Sequence, residues 1–163
     1  MPCRDNLTTK EQSMDGQKRV LMGVGNPLKG DDGVGPYLAD SLQHPEWVTI
    51  NCGTVPGNYT SIVKRNSPQL LVVVDAAKMG LEPGKYRILP TDRVEGMITS
   101  THNLPLTATM EYLSDYVENE ILFIGIEPKS LDYTTHLTEE VLCGAKQLKE
   151  LLLEGSFSEL KEI

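Results

Sequence analysis

Short apolar runs alternate along the chain with segments in which apolar positions recur every three or four residues. The short runs predict strands at 19–25, 47–53, 69–76, 85–90 and 120–128. The run at 69–76, QLLVVVDA, is the clearest of them, because an unbroken Leu/Val run is typical of a strand buried on both faces of a parallel sheet. The segment 85–90 alternates polar and apolar residues, which indicates an edge strand.

The segments with helical spacing predict helices at 36–43, 57–66, 103–117 and 138–154. Strands and helices that alternate in this way predict an α/β fold with three layers, a mostly parallel, twisted sheet of about five strands with helices on both faces. Ligands of such doubly wound sheets bind at the carboxyl ends of the strands, beside the point where the strand order reverses. This rule directs attention to the loops at 25–35, 75–80 and 126–136.

The chain is predicted to fold as one domain between two tails. Its 163 residues are close to the commonest size of a single domain. Residues 1–18 are polar and aperiodic, which predicts a flexible N-terminal tail. We expect one α/β domain at 19–155, followed by a C-terminal tail at 156–163.

Charge and composition restrict the classes of partner. The formal net charge is −8 and no Lys/Arg run offsets it locally, so nucleic acid is not an expected partner. No apolar run approaches the roughly 18 residues of a membrane span, which favours a soluble, cytoplasmic protein. The three cysteines, Cys3, Cys52 and Cys143, are far apart and lack C-x-x-C spacing. They are expected to be free thiols, with Cys52 and Cys143 buried.

A glycine-rich loop, GVGNPLKGDDGVG at 23–35, joins the first predicted strand to the first predicted helix. A nucleotide-binding fingerprint would need glycine where Leu28 stands, and a P-loop would need Lys-Ser/Thr where Asp31 and Asp32 stand. Two carboxylates repel phosphate and attract a cation or a substrate amide instead. The loop therefore does not favour a nucleotide site.

Three side chains are candidates for chemistry, and each also has a structural interpretation. Asp75 ends the most apolar strand, where a carboxylate is costly to bury unless it caps loop amides or has a function. Asp32 could be a charge at a helix N-terminus, and a lone histidine such as His102 is more often structural. If the first and third strands are neighbours, the two carboxylates face each other across the reversal in strand order.

Four segments in order, GVGNPLKGDDGVGPYLAD, LLVVVDAAKMGLEPG, TSTHNLPL and ILFIGIEP, strongly resemble the hydrogenase maturation endopeptidases, and most of all the branch that processes the formate-hydrogenlyase (hydrogenase 3) type of large subunit. The resemblance covers about residues 20–152. It implies a phosphorylase/hydrolase-like fold, a metal-binding set of Asp32, Asp75 and His102, and catalysis by Asp32 and Asp75. Many relatives have Glu at the position of Asp32, and the polar residues before Arg19 depart from the family pattern.

The resemblance also implies the reaction and its partner. An aspartic-type endopeptidase of this family removes the C-terminal extension from a nickel–iron hydrogenase large-subunit precursor after nickel insertion, so nickel is expected on the substrate. We expect no nucleotide cofactor and a monomeric enzyme. The route stays open between a carboxylate acting as general base on water and a metal ion that polarises water or the carbonyl. A nickel-recognition chaperone that does not cleave the precursor is the alternative function, and a nucleotide-binding enzyme is a second one.

Overall fold

The described part of the chain, residues 18–99 and 105–163, is built around a five-stranded sheet in this computed structural model. The strands are β1 (Arg19–Val24), β2 (Trp47–Gly53), β3 (Leu70–Ala76), β4 (Tyr86–Ile88) and β5 (Glu120–Ile126). The α-helices are α1 (Val34–Ser41), α2 (Thr60–Asn66), α3 (Val94–Met97), α4 (Leu106–Leu113) and α5 (Glu139–Glu154).

The sheet has the strand order β2-β1-β3-β5-β4. β1 pairs in parallel with both β2 and β3, β3 pairs in parallel with β5, and β4 pairs antiparallel with β5 at the edge. The mostly parallel sheet and the edge position of β4 are therefore confirmed. Because the chain passes from β1 to β2 on one side and returns to β3 on the other, the strand order reverses between β1 and β3.

Apolar side chains fill both sides of the sheet, which gives the three predicted layers. Every residue of β3 is buried, as its unbroken apolar run predicts. On one face α1 and α5 pack over a cluster that includes Leu38, Val72 and Leu148. On the other face α2 and α4 pack over a cluster that includes Val63, Val73 and Met110.

The helices differ from the sequence prediction mainly at their ends. α1 begins at Val34 rather than at residue 36, because a 3-10 turn at Gly30–Gly33 leads directly into it. The predicted helix at 103–117 is shorter, since α4 gives way to a 3-10 turn at Ser114–Tyr116. Residues 103 and 104 lie outside the described part of the chain.

The C-terminal segment 156–163, which was expected to form a tail, makes contacts with the domain. Leu160 is buried in the core cluster beneath α5. The N–H of Ile88 donates to the carbonyl of Lys161 at 2.8 Å, and the N–H of Ile163 donates back to Ile88 at 3.1 Å. These bonds satisfy an edge of β4 that would otherwise face solvent. The predicted N-terminal tail, residues 1–17 above all, lies outside the described residues and stays a prediction.

The cysteine prediction is half right. Cys52 is a buried free thiol, but Cys143 is exposed on α5. The helical periodicity turns Cys143 away from the core side of α5, where Val141, Ala145 and Leu148 lie. Cys3 lies outside the described residues. Within residues 18–99 and 105–163, no helix is long and apolar enough to span a membrane.

Candidate active site at the strand-order reversal

Asp32 and Asp75 lie at the carboxyl ends of neighbouring strands. Asp75 is the penultimate residue of β3, and Asp32 lies in the 3-10 turn that follows β1. The two strands pair directly, with Gly23 opposite Val74. Asp75 is fully buried, and Asp32 is 1% exposed. The sequence-based expectation that the first and third strands are neighbours is thus confirmed, whereas His102 lies outside the described residues.

The Asp32 carboxylate is held between its own loop and the end of β3. The backbone N–H of Asn26 donates to Asp32 Oδ2 at 2.9 Å, and the hydroxyl of Thr99 donates to Asp32 Oδ1. The N–H of Thr99 in turn donates to the carbonyl of Ala76, the last residue of β3, at 3.2 Å. Thr99 therefore ties the carboxylate of Asp32 to the strand that carries Asp75.

The neighbouring Asp31 is fully buried and has a different environment. Its Oδ2 accepts the backbone N–H groups of Lys129 at 2.8 Å and Ser130 at 2.9 Å. Its Oδ1 accepts the N–H of Thr138 at 2.8 Å, and the Thr138 hydroxyl lies 3.0 Å from Oδ1 and 2.9 Å from Oδ2. Asp31 thus fastens the loop at 129–138 onto the glycine-rich loop.

These two environments distinguish the adjacent carboxylates. An ionised carboxylate has about four acceptor positions, two on each oxygen. The donors from Lys129, Ser130 and Thr138 occupy those of Asp31. In the described part of the chain, one donor reaches each oxygen of Asp32. Asp32 therefore retains acceptor capacity for a metal, a water or a substrate amide, and Asp31 does not.

The glycines of the loop allow close approach of backbone to backbone. A Cβ on Gly25, whose φ is +150°, would lie 1.9 Å from the carbonyl oxygen of Asp32. A Cβ on Gly35 would lie 2.3 Å from the carbonyl oxygen of Val24 and 2.6 Å from that of Val74. Such distances exclude any side chain. Close packing of the loop against β1 and β3 accounts for these glycines without a phosphate ligand.

Sequence reasoning missed a fourth carboxylate at the same edge. Glu127 follows β5 directly, is 8% exposed, and accepts the backbone N–H of Met79 through Oε2 at 2.6 Å. It thereby fastens the loop after β3 to the end of β5. The signal was available, because Glu127 follows an apolar strand much as Asp75 ends one.

Lys129 adds an exposed contact between the fastened loop and α5. Its Nζ lies 2.7 Å from Glu140 Oε1, in the first turn of the helix. The hydrogen bond in this ion pair raises the pKa of Lys129 and lowers the pKa of Glu140. Exposed pairs of this kind contribute little to stability, so Asp31 remains the main tie of the loop.

The metal set implied by the resemblance needs His102 as its third member. Among residues 18–99 and 105–163, no three His, Cys, Asp or Glu side chains are grouped closely enough to hold a metal ion. Asp32 and Asp75 supply two oxygen donors at one edge of the sheet. The complete set of Asp32, Asp75 and His102 stays a prediction.

Comparisons with known proteins connect this sequence and fold to proteases that mature hydrogenases. Residues 34–154 match the family model HycI, described as hydrogenase maturation protease. The Hydrogenase 3 maturation protease of Escherichia coli K12 is 36% identical in an alignment over 126 residues that covers 75% of this chain and 80% of that protein.

Solved structures give the same result. The solution structure of the endopeptidase HycI from Escherichia coli superposes with a TM-score of 0.77 at 29% identity and covers 90% of this chain and 96% of that one. The crystal structure of a NiFe-hydrogenase maturation protease HycI from Thermococcus kodakarensis KOD1 superposes with a TM-score of 0.74 at 32% identity and covers 85% and 91%.

Proposed function

Because the chain belongs to the hydrogenase maturation protease family and is an endopeptidase, we propose that it removes the C-terminal extension from the nickel-loaded large-subunit precursor of a nickel–iron hydrogenase. The observation that supports this most is the pair of buried carboxylates, Asp32 and Asp75, at the ends of adjacent strands where the strand order reverses. Burying two carboxylates at one edge of a sheet is unfavourable and is typical of a functional site.

We assign catalysis to Asp32 and Asp75. A carboxylate at this edge can take a proton from the attacking water and return it to the amine that leaves. Asp32 suits this role because Thr99 and Asn26 fix its orientation while each of its oxygens keeps acceptor capacity. A metal ion that polarises the carbonyl is the second route compatible with two oxygen donors.

We further propose that Asp32, Asp75 and His102 contact the nickel ion that the precursor carries. Two carboxylates and an imidazole suit a borderline divalent ion such as Ni²⁺ and leave coordination positions for thiolates of the substrate. Shared coordination of this kind would orient the scissile bond without a resident cofactor. We place the reaction in the cytoplasm, with a monomeric enzyme.

The test is cleavage of purified, nickel-loaded precursor by purified enzyme, followed by mass spectrometry of the large subunit. We expect the wild-type enzyme to shorten the precursor by one C-terminal fragment. Asp32→Asn and Asp75→Asn should form no product while keeping the circular dichroism of the wild type, because the amides keep the shape but lose basicity.

Two results would contradict the proposal in different ways. Near-normal processing by both variants would refute the role of the carboxylates. If cells that lack the protein retain the extension but the purified protein never cuts the precursor, the protein acts as a nickel-recognition chaperone.

A further inference from the structure

Large apolar side chains are exposed mainly around the candidate active site. In residues 18–99 and 105–163 four such side chains stand out, Leu28, Val55, Tyr112 and Tyr133. Leu28, Val55 and Tyr133 lie on the loops that follow β1, β2 and β5 respectively, at the sheet edge that carries the catalytic carboxylates. Single exposed apolar residues need no explanation, but their concentration at one edge indicates a surface for interaction.

Leu28 and Tyr133 are neighbours across a short parallel bridge. The bridge pairs Lys29 with Thr134, and Leu28 and Tyr133 are the residues before each member of that pair. The N–H of Thr134 donates to the carbonyl of Leu28 at 3.1 Å, and the N–H of Gly30 donates to the carbonyl of Thr134 at 2.9 Å. These bonds bring the backbones at Leu28 and Tyr133 next to each other. We call these two residues the Leu28–Tyr133 patch.

The patch is held in place although it is exposed. Leu28 is 60% exposed and Tyr133 is 86% exposed. The buried carboxylate of Asp31 fastens the loop that carries Tyr133, and Asn26 Oδ1 accepts the N–H of Leu28 at 3.0 Å. Because the backbone beneath both side chains is already fixed, a partner that binds here does not have to order the loops, and an exposed tyrosine is a frequent hot-spot residue.

A small cavity of about 150 Å³ lies beside the patch, and its lining includes Pro27, Tyr37, Thr135 and Leu137. Its residues adjoin both halves of the patch in sequence. Asp40 also lines the cavity and accepts a hydrogen bond from Asn51 at 3.0 Å. A cavity of this size accommodates one side chain, and the carboxylate at its wall disfavours an acidic one.

We propose that the Leu28–Tyr133 patch and this cavity dock the hydrogenase large-subunit precursor through an apolar side chain close to the bond that is cut. The inference rests on the proposed function, because the patch adjoins the loop that carries Asp32. A precursor whose peptide bond reaches Asp32 must lie over this edge, whereas a second copy of the enzyme seated there would block it. The precursor is therefore the occupant.

The test measures binding separately from cleavage. Full-length precursor is titrated against the Asp75→Asn enzyme, with and without Leu28→Ser or Tyr133→Ser. Each serine variant should bind at least about 10-fold more weakly, as expected for loss of a hot-spot side chain. In the cleaving enzyme the same changes should raise KM by a similar factor and leave kcat within about 2-fold, because they remove binding made equally in the ground and transition states.

Tyr112→Ser is the matched control. Tyr112 is also an exposed tyrosine, but it lies on α4 and its hydroxyl oxygen accepts a hydrogen bond from Lys64 Nζ at 3.0 Å. This position is near the end of α2 and the amino ends of the strands. The control should bind precursor like its parent. Thermal unfolding of all variants verifies that each is folded.

Three outcomes would overturn the docking surface. The first is that both Leu28→Ser and Tyr133→Ser bind the precursor as tightly as their parent, and the second is that Tyr112→Ser loses as much affinity for the precursor as they do. The third is that light scattering shows a wild-type dimer, which Tyr133→Ser dissociates without any change in precursor binding. The last result would assign the patch to a second copy. If the docking hypothesis is wrong, the wild-type enzyme still cleaves the precursor. If the proposed function is wrong, the wild-type enzyme does not cleave it, but precursor binding by the variants can still be measured.

Discussion

Asp31 and Thr138 are 107 positions apart in the chain, and their contact closes the loops around the candidate active site. The N–H of Thr138 donates to Asp31 Oδ1 at 2.8 Å, and its hydroxyl lies within 3.0 Å of both carboxylate oxygens. Thr138 is also the N-cap residue of α5, yet its hydroxyl makes no capping bond to that helix. The Asp31 carboxylate thus joins the start of α5 to the glycine-rich loop, where the helix dipole favours a negative charge.

Asp31→Asn should lower the free energy of unfolding by about 2–4 kcal/mol, since an amide turns one acceptor into a donor and leaves buried N–H groups of the fastened loop without partners. Urea denaturation measures the change. Asp132→Asn, an exposed residue of the same loop, is the control and should change stability by less than about 0.5 kcal/mol. Equal effects of the two changes would show that the Asp31 contacts do not stabilise the loop.

Thr99→Val should lower the rate of precursor cleavage by about 10-fold to 100-fold, as expected for a group that orients a catalytic or metal-binding side chain. Valine keeps the shape of threonine and removes the hydroxyl that donates to Asp32. Thr99→Ser should restore most of the activity. The control is Thr107→Val, which removes a hydroxyl bond of 2.7 Å to Glu95 at an exposed position. Unchanged kcat in Thr99→Val would refute the orienting role.

The central part of the fold could be predicted because its signal is local. The Leu/Val run of β3 and the helical spacing in α5 each fix an element within about one residue of the observed bounds. The start of α1 could not be predicted, because the 3-10 turn at Gly30–Gly33 has no apolar periodicity. The position of Leu160 was also missed, since its burial depends on a distant strand edge at Ile88.

The site divides in the same way. Asp75 could be selected as a candidate from sequence because it ends an apolar strand, whereas Asp32 was selected over Asp31 by the family resemblance. Neither charge nor spacing could separate Asp31 from Asp32, because the difference depends on donors that arrive from the loop at 129–138 and from Thr99. Such contacts between distant segments have no local pattern in the sequence.

Gly25→Ala should destabilise the protein by about 3 kcal/mol or more, at the upper end of the effects of overpacking. Its Cβ would lie 1.9 Å from the carbonyl oxygen of Asp32, and its φ of +150° is unfavourable for alanine. Gly57→Ala is the control, because nothing lies within 4 Å of a Cβ at that position. Thermal or urea unfolding of both variants measures the difference, and similar values would contradict the close approach of the loop to itself.

Cys52 provides a pH-dependent contribution to stability. The thiol lies near the end of β2, is fully buried, and donates a weak hydrogen bond to the carbonyl of Ile50 at 3.7 Å. Burial disfavours the thiolate and raises the pKa of Cys52 to about 12 from the ordinary value of 9.0. The unfolded chain therefore releases this proton at a lower pH than the folded protein.

Because the pKa of Cys52 is higher in the folded state, its contribution to the free energy of unfolding should be fully present below about pH 9. The contribution should fall progressively between pH 9 and pH 12. In this range the free energy of unfolding falls by about 1.4 kcal/mol for each pH unit. We therefore expect the free energy of unfolding to fall by about 1.4 kcal/mol more between pH 8 and pH 10 in the wild type than in Cys52→Ala. Urea denaturation at both pH values measures this difference. Parallel pH dependence in the two proteins would show that the Cys52 thiol ionises as easily when folded as when unfolded.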